Sequence, residues 1–217
     1  MKRKIIILGK SAKFIKIIKN LYTGYEISIL SWRELGKVKF KKFKSLKSSN
    51  IIFVCGYDYN SQWYAYNKYY KVNISSPLKF INYTLGKNTF LFYIDTVSKL
   101  KKNANTKNFI LSRYEFAKKK LRYELIKKID KIQIIELPPL IDKKFEVSIF
   151  GGKFTKKIFK FLITIKLIKS IKLETIKKKF LIKNNFNIKH KLFKPQSLML
   201  DIPRPLFIDR FLRIISN

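Results

Sequence analysis

Apolar residues fall along this chain in short unbroken runs, separated by stretches with a helical repeat. Lys4–Leu8 (KIIIL), Glu26–Leu30 (EISIL), Asn50–Val54 (NIIFV), Thr89–Ile94 (TFLFYI) and Lys131–Leu137 (KIQIIEL) are nearly continuous in apolar character. Runs of that length, interrupted by polar residues in EISIL and KIQIIEL, read as strands of a parallel sheet. Between them, Phe14, Ile17, Ile18 and Leu21 mark one face of an amphipathic helix. Residues 61–72 are dense in Tyr and Trp and read as a helix packed on the sheet. Ala117, Leu121, Leu125 and Ile129 line a further helix, which Ser112 and Glu115 open as a capping box. Strand and helix in alternation predict an α/β fold, a doubly wound parallel sheet over residues 1–142. Beyond it the pattern loosens. Gly151-Gly152 marks a turn, residues 158–168 mix apolar residues with Lys, and Pro203-Arg204-Pro205 precedes an expected terminal helix at Leu206–Ile215. Residues 143–217 are therefore expected to form a small C-terminal lobe, with no internal repeat.

Charge changes the picture next. The 217 residues carry a formal net charge of +36, with 47% hydrophobic residues, enough for a sizeable core. Seven basic residues are Arg and 42 are Lys. Phosphate and nucleic-acid recognition leans on Arg forks, so the excess of Lys, Ile, Asn, Phe and Tyr points first to an AT-rich coding sequence. The charge still attracts nucleotide phosphates, an acidic membrane surface or RNA. Cys55 is the single cysteine and His190 the single histidine. No intrachain disulfide and no zinc cluster are expected, and a reducing, cytoplasmic compartment fits. The apolar run after the basic N-terminus is too short for a signal peptide, and no stretch of about 18 apolar residues is present for a spanning helix.

Candidate chemistry rests on one local conflict. Tyr114 and Lys118 lie one helical turn apart, and Lys118 falls inside the apolar stripe. A tyrosine of pKa about 10 is a poor base at neutral pH, and a neighbouring ammonium lowers that value. Thr96 and Ser98, at the end of the preceding strand, could hold a substrate oxygen while the tyrosine moves a proton. The spacing alone is cheap in a chain this rich in Tyr and Lys, since Tyr123 and Lys127 repeat it. Upstream, Val72-Asn73-Ile74-Ser75-Ser76-Pro77 admits two readings. A helix running through Pro77 leaves the Asn73 carbonyl without its usual donor; alternatively Ser76-Pro77 begins a new helix.

First strand and Gly9, then Asn73 with Pro77, Thr96, Tyr114 with Lys118, and Pro138-Pro139 occur in an order that resembles the short-chain dehydrogenase/reductase superfamily. The likeness is greatest to its extended, NAD-dependent epimerase/dehydratase branch and covers roughly residues 4–142. The resemblance implies a Rossmann-like dinucleotide-binding domain, with 143–217 as substrate lobe, and hydride transfer on a nucleotide sugar. It implies Tyr114 as proton donor or acceptor and Lys118 as the group that lowers its pKa and binds the nicotinamide ribose. Thr96 would bond the substrate oxygen and Asn73 support a proton relay. For the cofactor, NADP or NAD, it implies Gly9, Ser11 and Ala12 in the first turn, Arg33 after the second strand, and Cys55, Gly56, Lys118 and Pro138. Arg33 suits a 2′-phosphate and so NADP, or is a solvated surface arginine. The G-x-x-G-x-x-G spacing is eroded: Ala12 and Ile15 follow Gly9, or, matched to a G-F-I-G ending, Lys13 and Lys16 replace the glycines. That departure leaves open a noncatalytic relative, a basic structural or RNA-associated subunit of a larger assembly.

Overall fold

The computed structural model describes residues 3–36, 40–96, 113–137, 140–141, 147–148, 153–165 and 171–181. Five strands, β1 (Lys4–Leu8), β2 (Glu26–Leu30), β3 (Ile51–Val54), β4 (Phe90–Thr96) and β5 (Ile132–Leu137), form one sheet in the order β2-β1-β3-β4-β5. All four neighbouring pairs run parallel. These are the five runs expected, with β3 and β5 starting one residue later and β4 shifted by one at its start and two at its end. A short second sheet joins β6 (Leu140–Ile141), β7 (Val147–Ser148) and β8 (Ile171–Lys172) in the order β7-β6-β8. Among the described residues no helix is long and apolar enough to cross a membrane.

Successive strand residues point to opposite faces, and each face has its own cover. Ile5, Ile7, Phe53, Phe92 and Ile135 pack under helix α1 (Ala12–Leu21) through Ile17 and Ile18. Ile6, Leu8, Ile52, Val54, Leu91 and Tyr93 pack under the helices on the other side. Those are α3 (Ser76–Thr84) and α4 (Arg113–Ile126), while α2 (Tyr66–Tyr70), within the stretch expected to pack on the sheet, packs through Tyr69 against Phe116 and Ala117 of α4 instead. The expected doubly wound, Rossmann-like arrangement is therefore present.

Between α2 and α3 the chain does not break. Lys71–Ser75 forms a π-helical turn, and Tyr70, Ser75 and Ser76 keep helical backbone angles. Of the two readings of Ser76-Pro77, the helix running through Pro77 is the one found. The cause is local. A proline ring within a helix collides with the carbonyl four residues back, here that of Asn73, and supplies no N–H. The wider turn relieves the crowding, and the Ser76 N–H reaches the Lys71 carbonyl instead.

The C-terminal segment departs from expectation. Residues Leu173–Phe180 form a 3-10 helix that closes the α1 face of the main sheet. Phe180 meets the edges of Phe14 and Phe53, and the Tyr22 hydroxyl donates to its carbonyl. Of residues 158–168, read as an apolar and Lys mixture, 158–164 belong to helix α5 (Lys153–Thr164), and 166–168 lie outside the described residues. The expected lobe thus lends part of itself to the main core, because the sheet's α1 face needs a second cover beside α1.

Phe180→Ala is expected to lower the stability of the whole sheet domain by about 3–5 kcal/mol, as for other buried aromatic truncations. Urea unfolding followed by far-UV circular dichroism measures it, and a change confined to a separate minor transition would contradict this packing.

Candidate functional site

In an open α/β sheet, ligands bind outside the carboxyl ends of the strands, where the strand order reverses. Here that place lies between β1 and β3, and the loops that follow β2, β1 and β3 form its rim. The β1 turn is tight. Gly9 takes φ +117°, and a Cβ there would stand 2.7 Å from the Gly56 Cα. Its N–H donates to the Leu30 carbonyl at the end of β2, and the Cys55 N–H donates to the Leu8 carbonyl. Ser11 is the N-cap residue of α1 without a side-chain cap bond, and Ala12 opens the helix.

The β2 loop crosses this rim. Ser31 and Glu34 form a capping box around a 3-10 turn, which presents Trp32 inward. Trp32 is 5% exposed, and its ring lies directly against Gly56, where an added Cβ would come within 2.2 Å of it. Its indole N–H donates to the Asn73 side-chain oxygen at 3.2 Å. Arg33 extends outward, and its guanidinium pairs with the buried Asp58 carboxylate at 2.8 Å. Lys10, after β1, stands 3.8 Å from Glu34, a weak contact between two exposed side chains.

Asn73 holds the inner wall. It is 1% exposed. Its side-chain oxygen accepts from Trp32 and from the Asp58 N–H, while its amide nitrogen donates to the Ser61 hydroxyl and the Tyr69 carbonyl. Sequence reading assigned Asn73 a role through its backbone carbonyl. The observed bonds of its side chain are structural ties between the rim and the helix.

At the β4 end, Lys118 is turned inward at 5% exposure, as its place in the apolar stripe implies. Its ammonium donates to the Ile94 carbonyl at 2.9 Å and lies 5.1 Å from the Tyr93 ring centroid. Burial pulls its pKa below the usual lysine range, and Asp95 and Cys55 act in the opposite sense. Burial pushes the Cys55 thiol up to about 12, with Lys118 drawing it down. Tyr114 is half-buried one turn earlier on α4. Its ring meets the Tyr57 edge-on at 4.8 Å and stacks near Tyr59 at 5.8 Å, both in the loop after β3. Tyr114 and Lys118 therefore sit on one helix across the carboxyl ends of β3 and β4. Thr96 ends β4, paired with Leu137. Ser98, Ser112 and Pro138 lie outside the described residues.

Two further basic residues of α4 face inward. Arg113 is buried, donates to the Tyr64 carbonyl and lies over the Tyr69 ring. Arg122 bridges the buried Asp95 and Glu136. The sequence reading also missed Trp32 and Asp58. The Ser31…Glu34 spacing was the available signal for the turn that carries Trp32.

Neither a protein-family model nor a curated protein matches this chain. Solved structures do resemble it. One is the enzyme WbmH of Bordetella bronchiseptica, crystallised with NAD+: TM-score 0.53, 10% identity, 82% of this chain and 71% of that one. Another is the dTDP-4-dehydrorhamnose reductase of Bacillus anthracis, crystallised with NADP: TM-score 0.51, 15% identity, 82% of this chain and 69% of that one. At these identities the likeness is one of fold. It agrees with the Rossmann-like architecture that the sequence resemblance implied.

The residues present answer in two ways to a dinucleotide. At the β4 end, Lys118 and Tyr114 lie one turn apart on α4, the ammonium buried against the Ile94 carbonyl and the tyrosine ring against Tyr57 and Tyr59. At the β2 end, Trp32 and the Arg33–Asp58 pair fill the rim, and in this conformation that end does not fit an adenosine.

Lys118→Met is expected to stabilise the fold at neutral pH, because it removes a desolvated charge. The sign follows from linkage. Lys118 has a folded pKa lowered from 10.5, so the unfolded chain binds more protons between the lowered value and 10.5. Wild-type stability then rises with pH across that window, and the advantage of Lys118→Met shrinks there. Urea unfolding at neutral and alkaline pH measures the difference; a less stable variant at neutral pH would contradict it.

Proposed function

We propose that this chain is an NAD(P)-dependent reductase or epimerase/dehydratase-like protein that acts on a nucleotide sugar. The observation that carries the reading is the buried Lys118 ammonium at the carboxyl end of β4, one turn from Tyr114. Fully buried lysines are rare and costly, and a perturbed one beside a strand-end crevice is a functional-site candidate. The fold shared with a reductase crystallised with NADP and an enzyme crystallised with NAD+ supports the cofactor class.

In this reading the nicotinamide supplies the hydride chemistry when bound. Lys118 holds the ribose and favours the phenolate of Tyr114 through its charge. Tyr114 passes a proton to or from the sugar oxygen, and Thr96 orients that oxygen. Asn73 fixes the wall on which the substrate side rests. Gly9, Ser11, Ala12, Cys55 and Gly56 border the phosphate path, and Pro138 the nicotinamide pocket. Arg33 would meet a 2′-phosphate only on leaving Asp58, which weakens the expected preference for NADP over NAD.

A second reading is favoured by a specific observation, the occupied rim at the β2 end. Together with the lost glycines at positions 12 and 15, it supports a noncatalytic relative that kept the fold as a basic structural subunit, one able to contact RNA or another polyanion.

The test is turnover of a nucleotide-linked 4-keto sugar, followed by the absorbance of the reduced cofactor at physiological salt. Tyr114→Phe is expected to lower kcat by about 10²–10⁴-fold with the fold intact. A wild-type chain inert toward such substrates with both cofactors would leave the structural-subunit reading standing, and a fully active Tyr114→Phe would remove Tyr114 from the chemistry.

A further inference from the structure

Trp32 follows β2, yet its ring rests on Gly56, which follows β3. With β1 lying between those strands, the indole reaches across the carboxyl end of β1, a span of about two strand spacings, roughly 10 Å. It therefore lies in the crevice at the reversal point, on the side where the end of β2 meets an adenosine ribose in dinucleotide folds. An indole is a flat fused bicycle of nearly purine size. Gly56 offers it a bare backbone surface, and any larger residue there would collide with the ring.

The placement is held from several sides. The indole N–H is bonded to Asn73. The turn that carries it is capped by Ser31 and Glu34 and tied to the β3 loop by Arg33 and Asp58. Gly36, at the end of the same turn, approaches the Ser76 side chain. Leu8, Leu35 and Val54 belong to the same buried cluster as the ring.

We propose that Trp32 is a built-in occupant of the adenosine subsite, so that a nucleotide enters only as the indole leaves. The proposal rests on the reading of this crevice as a dinucleotide site and adds the residue that governs its affinity. It concerns the adenosine end alone. Lys118 and Tyr114, at the β4 end, remain in place whether the ring is in or out.

The experiment uses the full chain and adenosine as probe, since an uncharged ligand gains nothing from a +36 protein. Calorimetric titration compares wild type, Trp32→Ala and Gly56→Ala. The second variant keeps the ring but displaces it, because the new methyl would stand 2.2 Å from it. Both variants are expected to bind adenosine at least ten-fold more tightly than wild type. In a Trp63→Phe background, where Trp32 is the remaining tryptophan, Gly56→Ala is expected to shift the emission to the red. Equal adenosine affinity in all three chains, or no binding to a cooperatively folded variant, would overturn the proposal. Should Trp32→Ala fail to fold, Gly56→Ala decides. A parallel titration with nicotinamide mononucleotide separates the two readings. An adenosine gain with no mononucleotide binding keeps Trp32 as occupant and removes the nicotinamide function. Mononucleotide binding without an adenosine gain does the reverse.

Discussion

The crevice depends on one buried amide. Asn73 uses both of its side-chain atoms fully, accepting two bonds and donating two, to partners on the β2 loop, the β3 loop and its own helix. An amide is the side chain that can do this, because it offers two acceptor sites and two donors within one rigid plane. A carboxylate in its place would lose the donors, and an aliphatic residue would leave buried polar groups unpaired, each at a cost of about 1–3 kcal/mol. Its position depends in turn on Pro77. The proline widens the helix at Lys71–Ser75 into a π-turn, and such turns re-aim side chains relative to a regular helix. A backbone accommodation to one missing N–H thereby determines what closes the site.

Buried charge in the described residues is held in two ways, against acids and against backbone carbonyls. Buried Asp58 is paired with Arg33, and buried Asp95 with Arg122, which also holds Glu136. The first pair ties the loops after β2 and β3, and the second ties α4 to β4 and β5. Lys118 differs: its hydrogen bond goes to a neutral carbonyl, and burial depresses its pKa. A lysine in such a place does not serve stability. A perturbed buried lysine at a strand-end crevice is the observation on which the proposed function rests.

The sheet was legible in the sequence because its central strands leave nearly unbroken apolar runs, KIIIL, NIIFV and TFLFYI, while the edge strands EISIL and KIQIIEL carry polar residues and still read as strands by their position between helices. Lys118 was legible for the related reason that a charge inside an apolar stripe breaks the pattern. The path through Pro77 was not, since a capped helix start and a π-turn share the same residues, and tertiary packing alone selects between them. Nor was the role of Phe180. It ends a segment, LETIKKKF, whose lysines dominate the local reading, while Ile176 and Phe180 are what the sheet takes. Trp32 was overlooked for a similar reason. Attention to the end of β2 falls on its charged residue, Arg33, whereas the contact of Trp32 with Gly56 joins positions far apart in sequence and has no local signature.

Charge and shape play unequal parts at this site. A field of +36 draws every polyanion toward the protein, but it falls off within a Debye length of about 8 Å at physiological salt and cannot tell a dinucleotide from any other phosphate. Two cations of the rim, Lys10 and Arg33, each face a carboxylate of the same rim. A phosphate arriving there must displace an acid from one of them, so their charge adds less than its count suggests. Discrimination must then come from the space at the reversal point, and that space is set by a neutral side chain. Trp32 holds it with a buried ring and one hydrogen bond, contacts that salt does not screen. In the proposed role, the lysines attract a nucleotide and the tryptophan admits or refuses it.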